Sequence, residues 1–244
     1  MPVVNLPIYV ISVKSFEDRH RHIELQSQKH EFDYEYIFEY DADDLEKCNY
    51  QISDLLRPAS ASNVAKHIKA QERFLATDLD YCLVLEDDVV FSNNFFTEIV
   101  KVIEECSKLP KGWLVFLGGA DNKIHFDLRS HVDSLMIESP ITTAEAYLLD
   151  RAGCEARLKW VSNNVLDRQA DHQLKLIDGE VGNKQFCLVD PIASQGSIFG
   201  MFKTSLDESR GRKPAWYLKA RFAYNRIRNQ LLPRAVLKLM KVFT

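Results

Sequence analysis

Apolar and polar positions fall into short blocks that switch between strand-like runs and helical spacing. Ile8-Tyr9-Val10-Ile11-Ser12-Val13 predicts a buried first strand. Ser15, with Asp18 three residues on, predicts the cap of a polar helix reaching about Lys29. Tyr34-Glu35-Tyr36-Ile37-Phe38 predicts a second strand, ending at Tyr40-Asp41-Ala42-Asp43. Residues 43–62 show no strong period and are punctuated by Pro58. Val64, Ile68, Gln71 and Leu75 then mark one side of a helix over 62–77. Tyr81-Cys82-Leu83-Val84-Leu85 suits a central parallel strand and runs into Glu86-Asp87-Asp88. Asn93 or Asn94 caps a helix carrying Phe95, Ile99, Val102 and Ile103. Trp113-Leu114-Val115-Phe116-Leu117 reads as a further core strand, stopped by Gly118-Gly119. Residues 120–140 have no readable pattern. A strand at 144–149 and a helix at 151–160 follow. This alternation predicts an α/β fold: a mostly parallel central sheet with helices on both faces.

The 244 residues include 14 Phe, 9 Tyr and 3 Trp, bulk enough for a full core, which excludes a disordered chain or a disulfide mini-protein. One domain with a small appendage is the default at this length. No stretch approaches the roughly 18 apolar residues of a membrane span. Residues 1–13 lack the features of a signal peptide. The five cysteines are scattered and form no CxxC, so free or buried thiols in a reducing cytoplasm are expected. Neither GxGxxG nor a Walker loop occurs, which disfavours dinucleotide and P-loop binding.

Charge divides the chain. Residues 210–244 hold ten Lys or Arg and no Asp or Glu, so a net charge of −4 leaves −14 on the rest. The division places a main domain at 1–205 and a basic amphipathic helical tail at 206–244. Trp216, Ala220, Ala223, Ile227 and Leu231 recur at helical spacing, with Lys219, Arg221, Arg226 and Arg228 elsewhere on the wheel. Pro233 is expected to break or kink that helix, and a second apolar-basic piece follows at 236–243. Such a tail suits an anionic membrane surface; the alternative is a terminal helix packed on the core with a solvated basic face. No nucleic-acid motif appears, so nucleic acid is not expected as a partner.

Glu86-Asp87-Asp88 carries the most chemistry. It stands where a buried strand emerges, the usual place for ligands in open α/β sheets. Adjacent carboxylates repel, and a hard cation such as Mg²⁺ or Mn²⁺, sharing its shell with phosphates, offsets that repulsion. Glu86 and Asp88, at i and i+2, face one side of an extended segment. The alternative is a solvated strand end whose acids cap the next helix.

Val84-Leu85-Glu86-Asp87-Asp88-Val89 resembles the LEDDV signature of glycosyltransferase family 25, the galactosyl- and glucosyltransferases of lipopolysaccharide biosynthesis. Other segments are similar to the family in order: Tyr9-Val10-Ile11-Ser12 with Arg19 and Arg21, Phe38 to Ala42, Ser62 to His67, Trp113 to Leu117, Thr142-Thr143-Ala144 with Tyr147-Leu148, Asp171-His172, and Gln195-Gly196-Ser197. The resemblance spans about 8–200, while the family's G-C-x-x-S before the histidine is absent.

The resemblance implies a GT-A-like fold and inverting transfer of a hexose, galactose or glucose, from a UDP-sugar to a lipopolysaccharide, lipooligosaccharide or other surface glycan. It implies Mn²⁺ or Mg²⁺ bound directly by Asp88, with Glu86 as a second metal candidate. Glu86 or Asp87 would otherwise contact ribose or metal-bound water. Asp171 is the candidate base, or a helix N-cap; His172 orients it, faces the diphosphate or binds metal, or is structural. Ile11, Ser12 and Arg19 would contact the uridine side, Arg19 being alternatively paired with Glu17. Asp41 and Ala42 would close over the nucleotide, and His67 is a donor-site candidate or a buried core histidine. Thr143 would line a sugar pocket, and Gln195 with Ser197 would help close the site, Gly196 being either part of it or plain turn chemistry. The basic tail, which the resemblance does not cover, leads to an expected location in the cytoplasm, peripheral on the inner face of the cell membrane. Competing readings keep the acids in a metal-dependent nucleotidyltransferase or phosphohydrolase, or make the chain an inactive glycan- or membrane-binding module.

Overall fold

The computed structural model describes residues 6–119, 134–202 and 213–240. The first half runs β1 (Ile8–Ile11), α1 (Glu17–His30), β2 (Glu35–Ile37), a 3₁₀ turn (Ala42–Lys47), α2 (Pro58–Leu75) and β3 (Tyr81–Glu86). There follow β4 (Val89–Phe91), α3 (Phe95–Cys106), β5 (Trp113–Phe116), β6 (Met136–Glu138), β7 (Ala146–Asp150) and α4 (Arg151–Val161). The chain continues through α5 (Ala170–Val181), β8 (Lys184–Leu188), β9 (Ala193–Gln195) and a second 3₁₀ turn (Gly196–Phe199). It ends in α6 (Ala215–Arg226), a π turn (Ile227–Leu231) and α7 (Leu232–Met240).

Seven strands form one sheet in the order β2-β1-β3-β7-β5-β8-β6. β2, β1, β3, β5 and β8 share one direction; β7 and β6 oppose it. β3 therefore pairs parallel with β1 but antiparallel with β7, where parallel neighbours were expected on both sides. The run of apolar residues in β3 reflects burial of both faces, which does not depend on a neighbour's direction. Val10, Leu83, Leu85, Val115 and Leu148 pack toward Ile23 of α1 and Phe95, Ile99 and Val102 of α3. Their alternates Tyr9, Ile11, Val84, Leu114, Phe116 and Leu149 pack toward α2, α4 and α5 through Ala70, Phe74, Cys154 and Leu174. The period-2 split of each strand thus produces the three layers.

Two helix starts differ from expectation. α1 begins at Glu17 with Phe16 in the cap position and no side-chain cap, so Ser15 lies outside the helix. Glu17 and Asp18 instead place negative charge on its first turn. α2 begins at Pro58, earlier than the apolar stripe suggests. Proline at the first helical position has no N–H to leave unpaired and its φ is already set for a helix.

α4, α5 and β8 are joined by a buried ion pair. Arg157 Nε and Nη2 donate to the Asp178 carboxylate at 2.6 and 3.1 Å, and Asn183 and Gln185 donate to it at 3.0 and 2.7 Å. All five cysteines are free, four of them buried. Among the described residues no helix is long and apolar enough to cross a membrane. The boundary expected at 205/206, and most of the patternless 120–140 segment, lie outside the described residues.

Arg157→Ala strands the Asp178 carboxylate in the interior and is expected to lower stability by about 3–5 kcal/mol in urea unfolding. Arg157→Met with Asp178→Leu is expected to recover most of that loss. A loss below about 1 kcal/mol in the single variant would show that the pair does not tie these elements together.

Candidate active site

The register of the sheet aligns Ile37 of β2, Ile11 of β1 and Glu86 of β3 in one row. Past this row the three strands leave the sheet in the same direction, and a cavity of about 310 Å³ opens beyond their carboxyl ends. Ser12 to Phe16 after β1, Arg19 of α1 and Asp41 to Asp43 beyond β2 form its sides. Ala59, Ser62, Asn63 and Lys66 face it from α2, spaced i, i+3, i+4 and i+7 on one helix face. This small and polar face reaches the cavity because Pro58 starts the helix early. Glu86, Asp87 and Asp88 line it where β3 ends. Gln195 and Ser197 complete it, drawn in by pairing of β4 with β9 that sets Val89 opposite Gln195.

The three acids have different surroundings. Asp87 is held on both oxygens: Arg19 Nη1 donates to Oδ1 at 2.5 Å and Ser12 Oγ to Oδ2 at 2.6 Å. Burial still raises its pKa, with Arg19 opposing the shift. Glu86 accepts from Asn63 at 3.3 Å and Gln195 at 3.1 Å, and the His67 imidazole lies 3.7 Å away. Burial pushes Glu86 up, but His67 and Asn63 outweigh it and keep the carboxyl below its usual range. Asp88 is 1% exposed and receives one side-chain hydrogen bond, from the Ser197 N–H at 3.1 Å to Oδ2. Its Oδ1 is buried with no partner. Burial, then the Glu86 charge beside it, raises Asp88 to about 7. The Asp88 carbonyl accepts from Gly196 N–H at 2.7 Å, and a Cβ on Gly196 would fall 2.9 Å from that oxygen. Gly196 is therefore required by close backbone approach as well as by the turn.

Lys66 also lines the cavity from α2; it is 1% exposed and donates to the Ser12 carbonyl and to Asp41. Burial lowers its pKa, with Asp41 opposing. Asp41 also accepts from the Lys14 N–H at 3.2 Å. The residue before it, Tyr40, has φ 64°, a left-handed conformation that costs a bulky residue about 1–2 kcal/mol and turns the chain sharply after β2.

The structure brings Ile11, Ser12, Arg19, Asp41, Ala42, Glu86, Asp87, Asp88 and Gln195 to one cavity. Arg19 pairs with Asp87, where Glu17 was the alternative. His67 does not line the cavity; it is fully buried, its Nδ1 bonded to Tyr147 Oη at 2.8 Å, and it supports Glu86 from beneath. Thr143 is buried and outside the lining. Asp171 and His172 stand in the first turn of α5, away from the lining, because Ala170, Gln173 and Leu174 turn the other face of that helix inward. Asp171 accepts from the His172 N–H at 2.8 Å, and Gln169 takes the cap position. Sequence reasoning missed Lys66, Asn63, Ser62 and Phe16 as lining residues. The signal for the first three was the helical spacing of small and polar residues beside the apolar stripe.

A hard divalent cation would fit Asp88, whose buried Oδ1 has no hydrogen-bond partner and whose carboxyl feels the Glu86 charge, with Glu86 as the second donor. Asp87 is already occupied by Arg19 and Ser12. Among the described residues no three His, Cys, Asp or Glu side chains converge into a metal cage, so most of the shell would come from ligand phosphates and water.

Without a cation, folded Asp88 keeps its proton up to about pH 7, whereas the unfolded chain releases it near 3.8. The folded state binds more protons in that window, so Asp88 makes stability fall as pH rises from about 4 to about 7. Asp88→Asn is expected to flatten this slope and to stabilise the metal-free protein at pH 8 by a few kcal/mol, about 4 at the limit. Parallel stability–pH curves for the two proteins would show that Asp88 is not the group responsible.

Three solved structures resemble the chain only loosely. The galactosyltransferase LgtC in complex with donor and acceptor sugar analogs aligns at 11% identity and TM-score 0.44, covering 90% of this chain and 96% of that one. Mouse xyloside xylosyltransferase 1 aligns at 11% identity and TM-score 0.40, covering 75% and 84%. The inositol-1-phosphate CTP transferase from T. maritima aligns at 5% identity and TM-score 0.39, covering 88% and 76%. No curated protein matches the chain. The model of glycosyltransferase family 25 (LPS biosynthesis protein) matches residues 5–132, which carry β1 to β3 and the acidic triplet. That match covers more than half of the sequence, and the chain belongs to glycosyltransferase family 25.

Proposed function

We propose that this glycosyltransferase moves a hexose, galactose or glucose, from a UDP-sugar to a lipopolysaccharide, lipooligosaccharide or related surface glycan, with inversion and with Mn²⁺ or Mg²⁺ at Asp88. The observation that carries this reading is the unequal treatment of the triplet: Asp87 is fixed by Arg19 and Ser12, while Asp88 presents a buried carboxylate oxygen with no partner. A diphosphate leaving group develops negative charge, and a bound divalent cation neutralises it. Asp88 and Glu86 would hold that ion; Asn63 and Gln195 fix the Glu86 oxygens in one orientation. Ile11, Ser12, Asp41 and Ala42 would meet the nucleoside, since they form the side of the cavity beyond β1 and β2. Arg19 and Lys66 supply positive charge on the same side, though each is already paired with a carboxylate. A cavity of about 310 Å³ lies at the lower end of the range for small-molecule sites.

A screen of nucleotide sugars with Mn²⁺ tests the proposal. UDP-galactose or UDP-glucose should be turned over in the presence of an acceptor glycan, and Asp88→Ala should lower that rate by on the order of 10³-fold with its circular dichroism unchanged. UDP and Mn²⁺ together should raise the melting temperature of the native protein and leave Asp88→Ala unmoved. Release of free nucleotide without glycosyl transfer would favour a phosphohydrolase, and undiminished turnover in Asp88→Ala would remove the metal role.

Inversion requires a group to take the acceptor hydroxyl's proton; Asp171, which the family resemblance nominates, stands on α5 outside the cavity lining, so it would act as the base only on an acceptor that meets α5 beyond the donor cavity. Asp171→Asn should lower kcat by on the order of 10²–10⁴-fold with UDP-sugar affinity retained. An unchanged kcat would transfer that role to another residue.

A further inference from the structure

α6 inverts the usual relation between an amphipathic helix and its protein. Leu218, 5% exposed, is the residue that docks it, and Ala215 lies against Gly200 at the end of the second 3₁₀ turn. Trp216, Ala220, Ala223 and Ile227, at i, i+4, i+7 and i+11, therefore occupy the opposite, solvent-facing side. Trp216 is 71% exposed, Tyr224 59% and Ile227 53%, and Leu231 and Leu232 extend the surface through the π turn. Val236 and Leu239 of α7 are exposed as well. A terminal helix that served only to cover the core would direct this stripe inward.

Cations flank the stripe. Lys219 and Arg226 fall on one side and Arg228 on the other; Lys213, also exposed, lies over the Tyr217 ring at 5.5 Å. No acidic residue interrupts residues 210–244. An outward apolar stripe with aromatic residues, bordered by Lys and Arg, is the pattern of a helix lying in the headgroup layer of an anionic bilayer. We propose that α6 and α7 form a docking face for an anionic lipid bilayer. Positive charge matches the lipid headgroups, and the stripe enters the acyl boundary. α6 is locked at Ala215 to the turn whose Ser197 bonds Asp88, so docking fixes the attitude of the cavity relative to the lipid surface. This inference does not rest on the donor chemistry and is tested without turnover.

The full chain is sedimented with vesicles of pure phosphatidylcholine and with vesicles containing about a third phosphatidylglycerol, at low and high salt. Binding is expected only to the anionic vesicles, with loss at high salt. Lys219→Gln/Arg226→Gln/Arg228→Gln should weaken partitioning by on the order of a hundredfold. Trp216→Ala/Ile227→Ala, which keeps every charge, should also weaken it, separating insertion from simple attraction. Circular dichroism and melting temperature establish that both variants remain folded. Equal binding to neutral vesicles, or no binding to anionic vesicles at low salt, would overturn the proposal. So would a concentration-dependent dimer abolished by Trp216→Ala/Ile227→Ala, since a second copy would then occupy the face.

Discussion

Three consecutive carboxylates at the end of a buried strand repel one another, and the surrounding segments are placed by how each charge is met. Asp87 is met by a cation and a hydroxyl, brought from α1 and the end of β1. Glu86 is met by two side-chain amides, from α2 and β9, with a histidine behind them. Asp88 is met through its side chain by one backbone N–H and by no ion pair, and burial with the Glu86 charge beside it raises its pKa to about 7. Partners as many as 109 residues apart in sequence are drawn to one strand end in this way. Electrostatic need and sheet topology thus select the same location, since parallel strands also leave their crevice at that end.

The unequal treatment separates scaffold from receptor. Arg19 cannot swing freely: beyond its bond to Asp87, its guanidinium lies over the Phe16 ring at 4.9 Å and the Phe202 ring at 5.6 Å. Cation–π contact on two sides and a short charge-assisted bond make it a fixed positive point on the cavity wall. Lys66 is similarly constrained by Asp41 and the Ser12 carbonyl, which ties the turn after β2 to the end of β1. A pocket whose positive charges are pre-positioned loses little order on binding an anion.

The strands were legible because burial on both faces leaves no room for polar residues, and β1, β3, β5 and β7 read as continuous apolar runs. Strand direction was not legible, since hydrophobicity records burial and not the sense of a neighbour; β7 runs opposite to β3 although both are apolar runs ending in an acid. The triplet, Ser12, Arg19, Asp41 and Gln195 were found because chemistry or family pattern singles them out. Lys66 was passed over because a lysine in a helix is ordinarily solvated, and only the fold shows it sealed between β1 and the turn after β2. Asp171 and Thr143 were placed by family order alone, and order along a chain does not say which face of α5, or which side of a loop, meets the cavity.

The tail shows the same limit from the other direction. Periodicity identified an apolar stripe on α6 but could not orient it, because a stripe that covers a core and one that meets a membrane have the same spacing. Leu218 settles the orientation: it lies opposite Trp216 and Ile227, and it is the buried one. Pro233, expected to break or kink the helix, is the second residue of α7, and the regular α-helix is interrupted just before it by the π turn. A π turn already displaces the regular i to i−4 bonding, so the missing proline N–H falls where the ladder is changing and the chain continues in helical form. The tail therefore presents its exposed residues along successive helical segments, tethered at Ala215 and directed away from the core.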